Sequence, residues 1–423
     1  MHYVIIGNGV AGINAANQLR KRDETSSITI ISKESDHFFS RTALMYVLCG
    51  QMSPSDVEPY PRDHYQRMNF TRVRDEVVAL SPSETSLKLS SGETIQYDRL
   101  LIASGSMARS AGWPGEELDG VGNFVTWQNL EWLTEKSRTA KKAVVVGGGL
   151  IGIEVAETLL AAGIEVTFLI REKWFWPIAM DQNEGLMIID HMRHHGCNVR
   201  LQTEVKKIIS QEEKVTGVEI GDGEIVDCDI VVATIGVVPQ TGWLVESGIE
   251  LDKSGGIVVG DHLETNLPNI WAAGDCTSVV WFNGIRRPEQ LWYTSRDQGR
   301  IVGLNMSGDK RVYKRSTFYN SAKLFDIEYT TAGYVNFNFE GEQNWYHREP
   351  DTNRTTRITY LPDGSVTGFN MLGRRWDHRI LVDWVDEKRQ LDWVLQNLHI
   401  ANFDEEFFPS FKIDTQALKS GVV

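Results

Sequence analysis

The sequence predicts an α/β chain in which one strand–turn–helix design is used twice and is followed by a C-terminal α+β domain. Three observations carry this expectation. The run Val4-Ile5-Ile6-Gly7-Asn8-Gly9-Val10-Ala11-Gly12 leads a buried strand through a glycine turn into a helix. Val144-Val145-Val146-Gly147-Gly148-Gly149-Leu150-Ile151-Gly152 repeats it, and the elements that follow each motif repeat in the same order. From Ser316 onward the texture turns β-rich and aromatic. Strands alternating with helices over short crossovers give right-handed βαβ units and a parallel sheet, a Rossmann-like design.

The first unit continues with a helix to about Arg20, a strand at Ser27–Ile31, a hairpin within Leu87–Ile95 and a strand within Tyr97–Gly105. The second has a strand at Glu165–Ile170, a hairpin turning at Gly221-Asp222-Gly223 and a strand within Asp227–Gly236. The segment from Gly248 to about Gly308 returns to the first domain. It holds Thr265 to Asp275, a buried strand ending in a Gly-Asp turn, and a helix starting near Gln290. Strands at Tyr329–Val335 and Thr355–Tyr360 follow. A turn at Pro362-Asp363-Gly364-Ser365 leads to a strand at Val366–Met371, and the apolar spacing predicts one amphipathic helix over Arg379–Leu398. The tail, with Phe403, Phe407, Phe408 and Phe411, is apolar enough to pack on the body. The expected domains are 1–111 with 240–312, 112–239, and 313–423.

Composition narrows the function classes. A net charge of −14 argues against a phosphate-tracking nucleic-acid surface and against adsorption on an anionic membrane. The first strand begins at Tyr3, which leaves no room for a signal peptide, and no apolar run is long enough to span a bilayer. Cys49, Cys197, Cys228 and Cys276 form no C-x-x-C pair, so neither a disulfide framework nor a cysteine-held iron–sulfur cluster is expected, and the compartment reads as a reducing cytoplasm. His191, His194 and His195 have helical spacing, but no carboxylate or cysteine constellation supports a metal, so they read as a solvated helix end before Gly196.

The glycine motifs imply a chemistry. Gly7 permits the tight turn, Gly9 lets the backbone approach a pyrophosphate, and Gly12 lets helix and strand pack closely. The helix N-terminus then offers free N–H groups to phosphate. An acid about 20 positions on would hold the ribose, and Glu34 stands there. Asp275, after Gly274, reads either as an acceptor for a cofactor hydroxyl or as a helix N-cap.

Together with Ala103-Ser104-Gly105, Ala233-Thr234-Ile235-Gly236 and Thr265 to Asp275, these motifs resemble the two-dinucleotide flavoprotein reductases of the pyridine nucleotide–disulfide oxidoreductase superfamily, over roughly residues 1–310. The resemblance is to the branch without a redox disulfide: rubredoxin and ferredoxin reductases, the flavin part of nitrite reductase, and apoptosis-inducing factor. It implies domains of the glutathione-reductase type, with FAD in the first and NAD(P)H in the second. By that resemblance the FAD residues are Gly7, Gly9, Val10, Ala11, Gly12, Glu34, Arg41, Ala103, Ser104, Gly105, Gly274, Asp275 and Trp292. The NAD(P)H residues are Gly147, Gly149, Leu150, Ile151, Gly152, Arg171, Ile235 and Gly236.

The resemblance also sets Arg41 beside the FAD pyrophosphate, Glu154 near the flavin edge and nicotinamide, and Tyr46 where some relatives carry a lysine that pairs with that acid. Thr42 falls where disulfide-reducing relatives keep a cysteine, and Cys49 and Cys276 read as structural, so no thiol relay is expected. Ile170 and Arg171 at the end of the second strand lean to NADPH, against which Glu172 stands. The implied activity is hydride transfer from NAD(P)H to FAD, then electron transfer to an outside acceptor, a small iron–sulfur protein or a quinone. An NAD(P)H oxidase or peroxidase and a slow, redox-sensing flavoprotein are the alternatives. The third domain would cover the flavin, form a homodimer interface or dock the partner.

Overall fold

The structure is a computed structural model, and it describes residues 1–403. Contacts divide the chain into two units: 1–111 with 122–139 and 235–315, and 112–121 with 140–234 and 316–423. The units depart from the expected boundaries: residues 235–239, with Ile235 and Gly236, group with the first unit rather than the second. Residues 122–139, with the helix Trp127–Ser137, fall in the first unit, and the C-terminal segment groups with the second.

The first unit is built on a parallel sheet in the order Ile270–Ala272, Arg99–Ile102, His2–Ile6, Ser27–Ile31, Phe70–Val73. From Tyr3 to Ile6 the central strand is buried, with Val4 and Ile5 fully so, as expected of a strand covered on both faces. The helix Val10–Arg22 packs on the helix Trp292–Met306. Close approach is possible because Gly299 and Gly303 face the Ala11 and Ala15 backbone: a Cβ at Gly299 would lie 2.4 Å from the Ala11 carbonyl oxygen.

The second unit repeats the pattern with parallel strands in the order Asn198–Arg200, Glu165–Leu169, Lys142–Val146, Ile230–Ala233. Its helices are Leu150–Ala161 and Gln182–His194. The C-terminal segment adds an antiparallel sheet ordered Tyr319–Leu324, Ile327–Gly333, Val366–Leu372, Thr355–Tyr360, Gln343–Arg348. Arg357 on this sheet is buried, and its guanidinium reaches Glu184 on the helix Gln182–His194 at 2.8 Å. It also donates to the Ala179 carbonyl at 3.0 Å and to Asn336 Oδ1 at 2.8 Å.

The single helix expected over Arg379–Leu398 is in fact two, His378–Asp386 and Leu391–Asn397. The break lies at Lys388, which adopts a left-handed φ of 53°. Beyond it, Arg389 accepts from the Val366 amide and Leu391 donates to Gly364, so this stretch pairs with the sheet edge instead of continuing the helix. Apolar spacing is almost blind to such an interruption because both helices bury the same face, through Leu381, Trp384, Val394 and Leu395. Phe403, expected to pack, is 60% exposed, and Phe407, Phe408 and Phe411 lie outside the described residues.

Candidate functional site

The two glycine turns have the same geometry. Gly7 and Gly147 take φ values of 107° and 123°, which side chains rarely adopt. A Cβ on Gly7 would lie 2.0 Å from the Ala103 carbonyl oxygen, and one on Gly147 would lie 2.5 Å from that of Thr234. The third glycines are equally confined: Cβ atoms on Gly12 and Gly152 would sit 2.0 and 2.3 Å from the Gly7 and Gly147 carbonyl oxygens. The middle glycines differ. Around Gly9 and Gly149 nothing lies within 4 Å of a built Cβ. Glycine at these two positions is therefore not required by the protein's own packing, and the open space is what an approaching pyrophosphate needs.

Capping agrees. Thr126 and Asp181 close capping boxes on their helices, and Asp377 accepts from an amide at the start of its own. The helices that begin after Gly9 and Gly149 have no side-chain cap and no acid in the first turn. Their first amides, at Val10, Ala11, Leu150 and Ile151, are thus free of side-chain competitors for a phosphate. These features fit a dinucleotide in each unit.

Around the first turn, Glu34 and Arg41 meet each other. Arg41 donates from both terminal nitrogens to the Glu34 carboxylate, at 2.8 and 2.7 Å, and also to the Val125 carbonyl. Glu34 further accepts from the Trp127 amide at 2.8 Å. Sequence reasoning gave these two residues separate tasks. The structure makes them one bidentate pair, and Trp127 and Val125 were not anticipated because they lie far along the chain.

Gly274 has a φ of 87°, and its amide donates to Gln298 Oε1 at 2.7 Å. Asp275 accepts from Ser295 Oγ at 3.0 Å and Ser106 Oγ at 3.2 Å. Burial pushes its carboxyl up, against the pull of these hydroxyls and of Arg41. The N-cap alternative does not hold, since a strand, Thr277–Val280, follows Asp275 rather than a helix. Ser104 Oγ donates to the Gln240 carbonyl, and Gly105 and Gly236 both take positive φ. Ile235 lies beside Gly236 in the first unit. Trp292 opens its helix, with the Arg296 guanidinium 5.4 Å from its ring centre.

Tyr46 lies on the short helix Leu44–Leu48 of the first unit, and Glu154 on the helix Leu150–Ala161 of the second. Burial, and secondarily the Glu157 charge, push the Glu154 carboxyl up to about 7. Thr42 is exposed and hydrogen-bonds Ser40. Cys49, expected to be buried, is only partly so, and its thiol points at the Tyr46 carbonyl. Cys276 is buried, with its thiol pushed up by burial. Arg171 is exposed and pairs with Glu172 at 3.0 Å, while Ile170 is buried beneath Gly148. The histidine group departs from expectation: His191 is largely buried, and Asp326, 135 residues away in the chain, lies against it.

Comparison with known proteins agrees with this architecture. The family described as pyridine nucleotide-disulphide oxidoreductase matches residues 1–299. Rhodocoxin reductase of Rhodococcus erythropolis is 30% identical over 77% of this chain and 75% of its own length. The ferredoxin reductase subunit of a 5,5'-dehydrodivanillate O-demethylase from Sphingobium is 28% identical over 89% and 90%. Nitrite reductase [NAD(P)H] of Bacillus subtilis is 28% identical over 79% of this chain, which spans only 41% of that protein. Among solved structures, an NAD-dependent persulfide reductase from A. fulgidus superposes with a TM-score of 0.87 at 25% identity, over 99% of this chain and 83% of that one. No helix among the described residues is long and apolar enough to cross a membrane. Family, fold and glycine cradles agree, and the chain belongs to the pyridine nucleotide-disulphide oxidoreductase family, whose members are FAD- and NAD(P)H-using flavoproteins.

Proposed function

We propose that this chain is an NAD(P)H-dependent flavoprotein reductase that delivers electrons to an external acceptor, a small iron–sulfur protein of the ferredoxin or rubredoxin kind. The observation that carries the reading is the pair of open cradles at Gly9 and Gly149, each at an uncapped helix start. Bound FAD would supply hydride acceptance from a reduced nicotinamide and onward transfer of one or two electrons. The chain's own residues do the rest. The Gly9 and Gly149 loops and the amides after them hold the two pyrophosphates. Asp275, oriented by Ser106 and Ser295, offers an acceptor to a ribityl hydroxyl. The Arg41–Glu34 pair braces the wall of the first site through Val125 and Trp127. Glu154, with its carboxyl near 7, holds or releases a proton close to neutral pH on the nicotinamide side.

An external acceptor is supported by three features. Thr42 stands where a redox cysteine would be, Cys276 is buried as an inert thiol, and two relatives are named for the small redox proteins they reduce. Ile170 and the exposed Arg171 favour NADPH, whereas Glu172 pairing with that arginine favours NADH. An oxidase is the second reading, favoured by the 27% identity to an NADH oxidase of Methanocaldococcus jannaschii over 88% of this chain. Anaerobic reduction with each nicotinamide, then reoxidation by ferredoxin, rubredoxin, quinone or oxygen, separates the two. A protein that binds no FAD, or keeps its yellow colour under both nicotinamides, would refute the proposal. Rapid oxygen consumption by the protein alone would favour the oxidase.

A further inference from the structure

The histidine group at the end of the helix Gln182–His194 has a role that dinucleotide chemistry does not require. We propose that His191, His195 and Asp326 form a binding site for one divalent ion of the zinc class, joining this helix to the hairpin between Tyr319–Leu324 and Ile327–Gly333. All three residues belong to the same unit. Their ligand atoms lie within 4.8 Å of one another. A tetrahedral ion with bonds of about 2.0–2.1 Å needs donors roughly 3.3 Å apart, so the ion would replace the direct His191–Asp326 hydrogen bond, parting those two groups and drawing His195 in.

The three residues meet for reasons visible in the backbone. His191 and His195 are one helical turn apart and share a face, with ring centres 4.4 Å apart. Asp326 is presented at the hairpin tip, where Phe325 takes a left-handed φ of 58°. The His195 imidazole is held as a metal ligand is. His195 Nδ1 lies 3.0 Å from the His191 carbonyl oxygen, a contact that needs the proton on Nδ1 and leaves a lone pair on Nε2. That Nε2 faces Asp326 Oδ1 at 4.0 Å. A metal ion between them, or a proton on Nε2, satisfies both groups. Asn353 Nδ2 donates to His191 Nδ1 at 2.9 Å and His191 Nε2 donates to Asp326, so ligation through Nε2 would shift the ring proton to Nδ1 and turn the Asn353 amide to accept it.

A second carboxylate acts electrostatically on the group. Glu157, on the helix Leu150–Ala161, interacts electrostatically with Lys323, Asp326 and His195 and also accepts from the Phe325 backbone. Its Oε2 is buried without a hydrogen-bond partner. Two imidazoles and one carboxylate, with water in the fourth position, form a nitrogen-rich set, which selects zinc-class ions over calcium or magnesium. Exposure of Asp326 at 70% gives the ion an entry path.

The test uses the full-length, FAD-loaded protein stripped with chelator and titrated with Zn(II) by calorimetry and with Co(II) by its ligand-field absorption. The expected result is one equivalent bound at micromolar affinity or better, a tetrahedral cobalt spectrum and a raised melting temperature. His195→Ala and Asp326→Asn should each weaken binding by about 100-fold or more while leaving flavin content and anaerobic bleaching by NAD(P)H unchanged. His194→Ala serves as the control, because His194 Nδ1 bonds the Asp190 carbonyl, outside the set. Flavin content and circular dichroism verify that each variant is folded. Absence of stoichiometric metal in the wild type, or equal affinity in His195→Ala and wild type, overturns the site and leaves a protonated His195–Asp326 ion pair in its place.

Discussion

Glu154 gives the sharpest quantitative expectation. Its carboxyl moves from the ordinary 4.5 to about 7, first because it is buried and second because Glu157 is near. For an acid raised on folding, the protonated form is the one the folded state prefers. Its penalty is absent at pH values well below 4.5, grows as pH rises through 4.5 to 7, and is complete above 7. With these values the penalty is about 1.4 kcal/mol at pH 5.5 and about 3.4 kcal/mol at pH 8.5, a difference near 2 kcal/mol. Glu154→Gln removes the ionisation and keeps the shape. The variant should therefore be more stable than wild type at pH 8.5, and the gap should shrink by about 2 kcal/mol at pH 5.5. The assay is urea denaturation of both proteins, FAD-loaded, at each pH. Glu157→Gln should lower the Glu154 value and flatten the wild-type profile. Identical pH profiles for wild type and Glu154→Gln would refute the assigned shift, and with it the proton-holding role.

The remaining expectations concern the cradles and two ion pairs. Gly9→Ala meets no protein atom, so it should fold normally but retain FAD at least about tenfold more weakly; flavin release on dilution measures this. Gly149→Ala should hold FAD fully and raise the NAD(P)H concentration needed for bleaching, read by anaerobic titration. Gly152→Ala would press on the Gly147 carbonyl and the Thr234 hydroxyl, so thermal melting should show a loss of about 1–3 kcal/mol in addition to weakened nicotinamide binding. Glu34→Gln weakens the Arg41 pair and should cost about 1–2 kcal/mol even in apoprotein, which a denaturant titration detects. Arg357→Met alone strands Glu184 and should cost about 3–5 kcal/mol, while the double change with Glu184→Leu should recover much of it.

The parts of this molecule set by local rules could be read in advance. Both parallel sheets follow from apolar runs such as Val4–Ile6 and Val144–Val146, and the glycine turns follow from positions where any side chain collides with backbone. What stayed hidden depends on distant segments. Arg41 reaches Val125 across 84 residues, and Asp326 reaches His191 across 135, so no window of sequence contains either partnership. The break at Lys388 escaped because a left-handed residue between two helices that bury the same face leaves the periodicity almost intact. Asp275 illustrates the middle case. Its strand-end position was legible, but the choice between cofactor acceptor and helix cap required knowing that a strand follows.

The glycine cradle recurs in both units, but the residues that follow the second strand of each do not. In the first unit Glu34 stands at the acidic position, and Arg41 and the Trp127 amide already occupy its carboxylate. A ribose hydroxyl there would have to share an acceptor that is spoken for, which favours a ligand held chiefly through its pyrophosphate and by contacts around Asp275. In the second unit the equivalent region has Ile170, buried beneath Gly148, followed by exposed Arg171. No carboxylate stands at Ile170 to repel a 2′-phosphate, and Arg171 is held to the neighbouring Glu172 by one exposed ion pair, worth at most about 1 kcal/mol. A phosphate dianion would compete for that arginine more strongly than a hydroxyl. Glu172→Gln should therefore raise the preference for NADPH over NADH by about three- to tenfold in the anaerobic reduction rate at limiting nicotinamide. An unchanged ratio would mean that neither Arg171 nor Glu172 contacts the adenosine end.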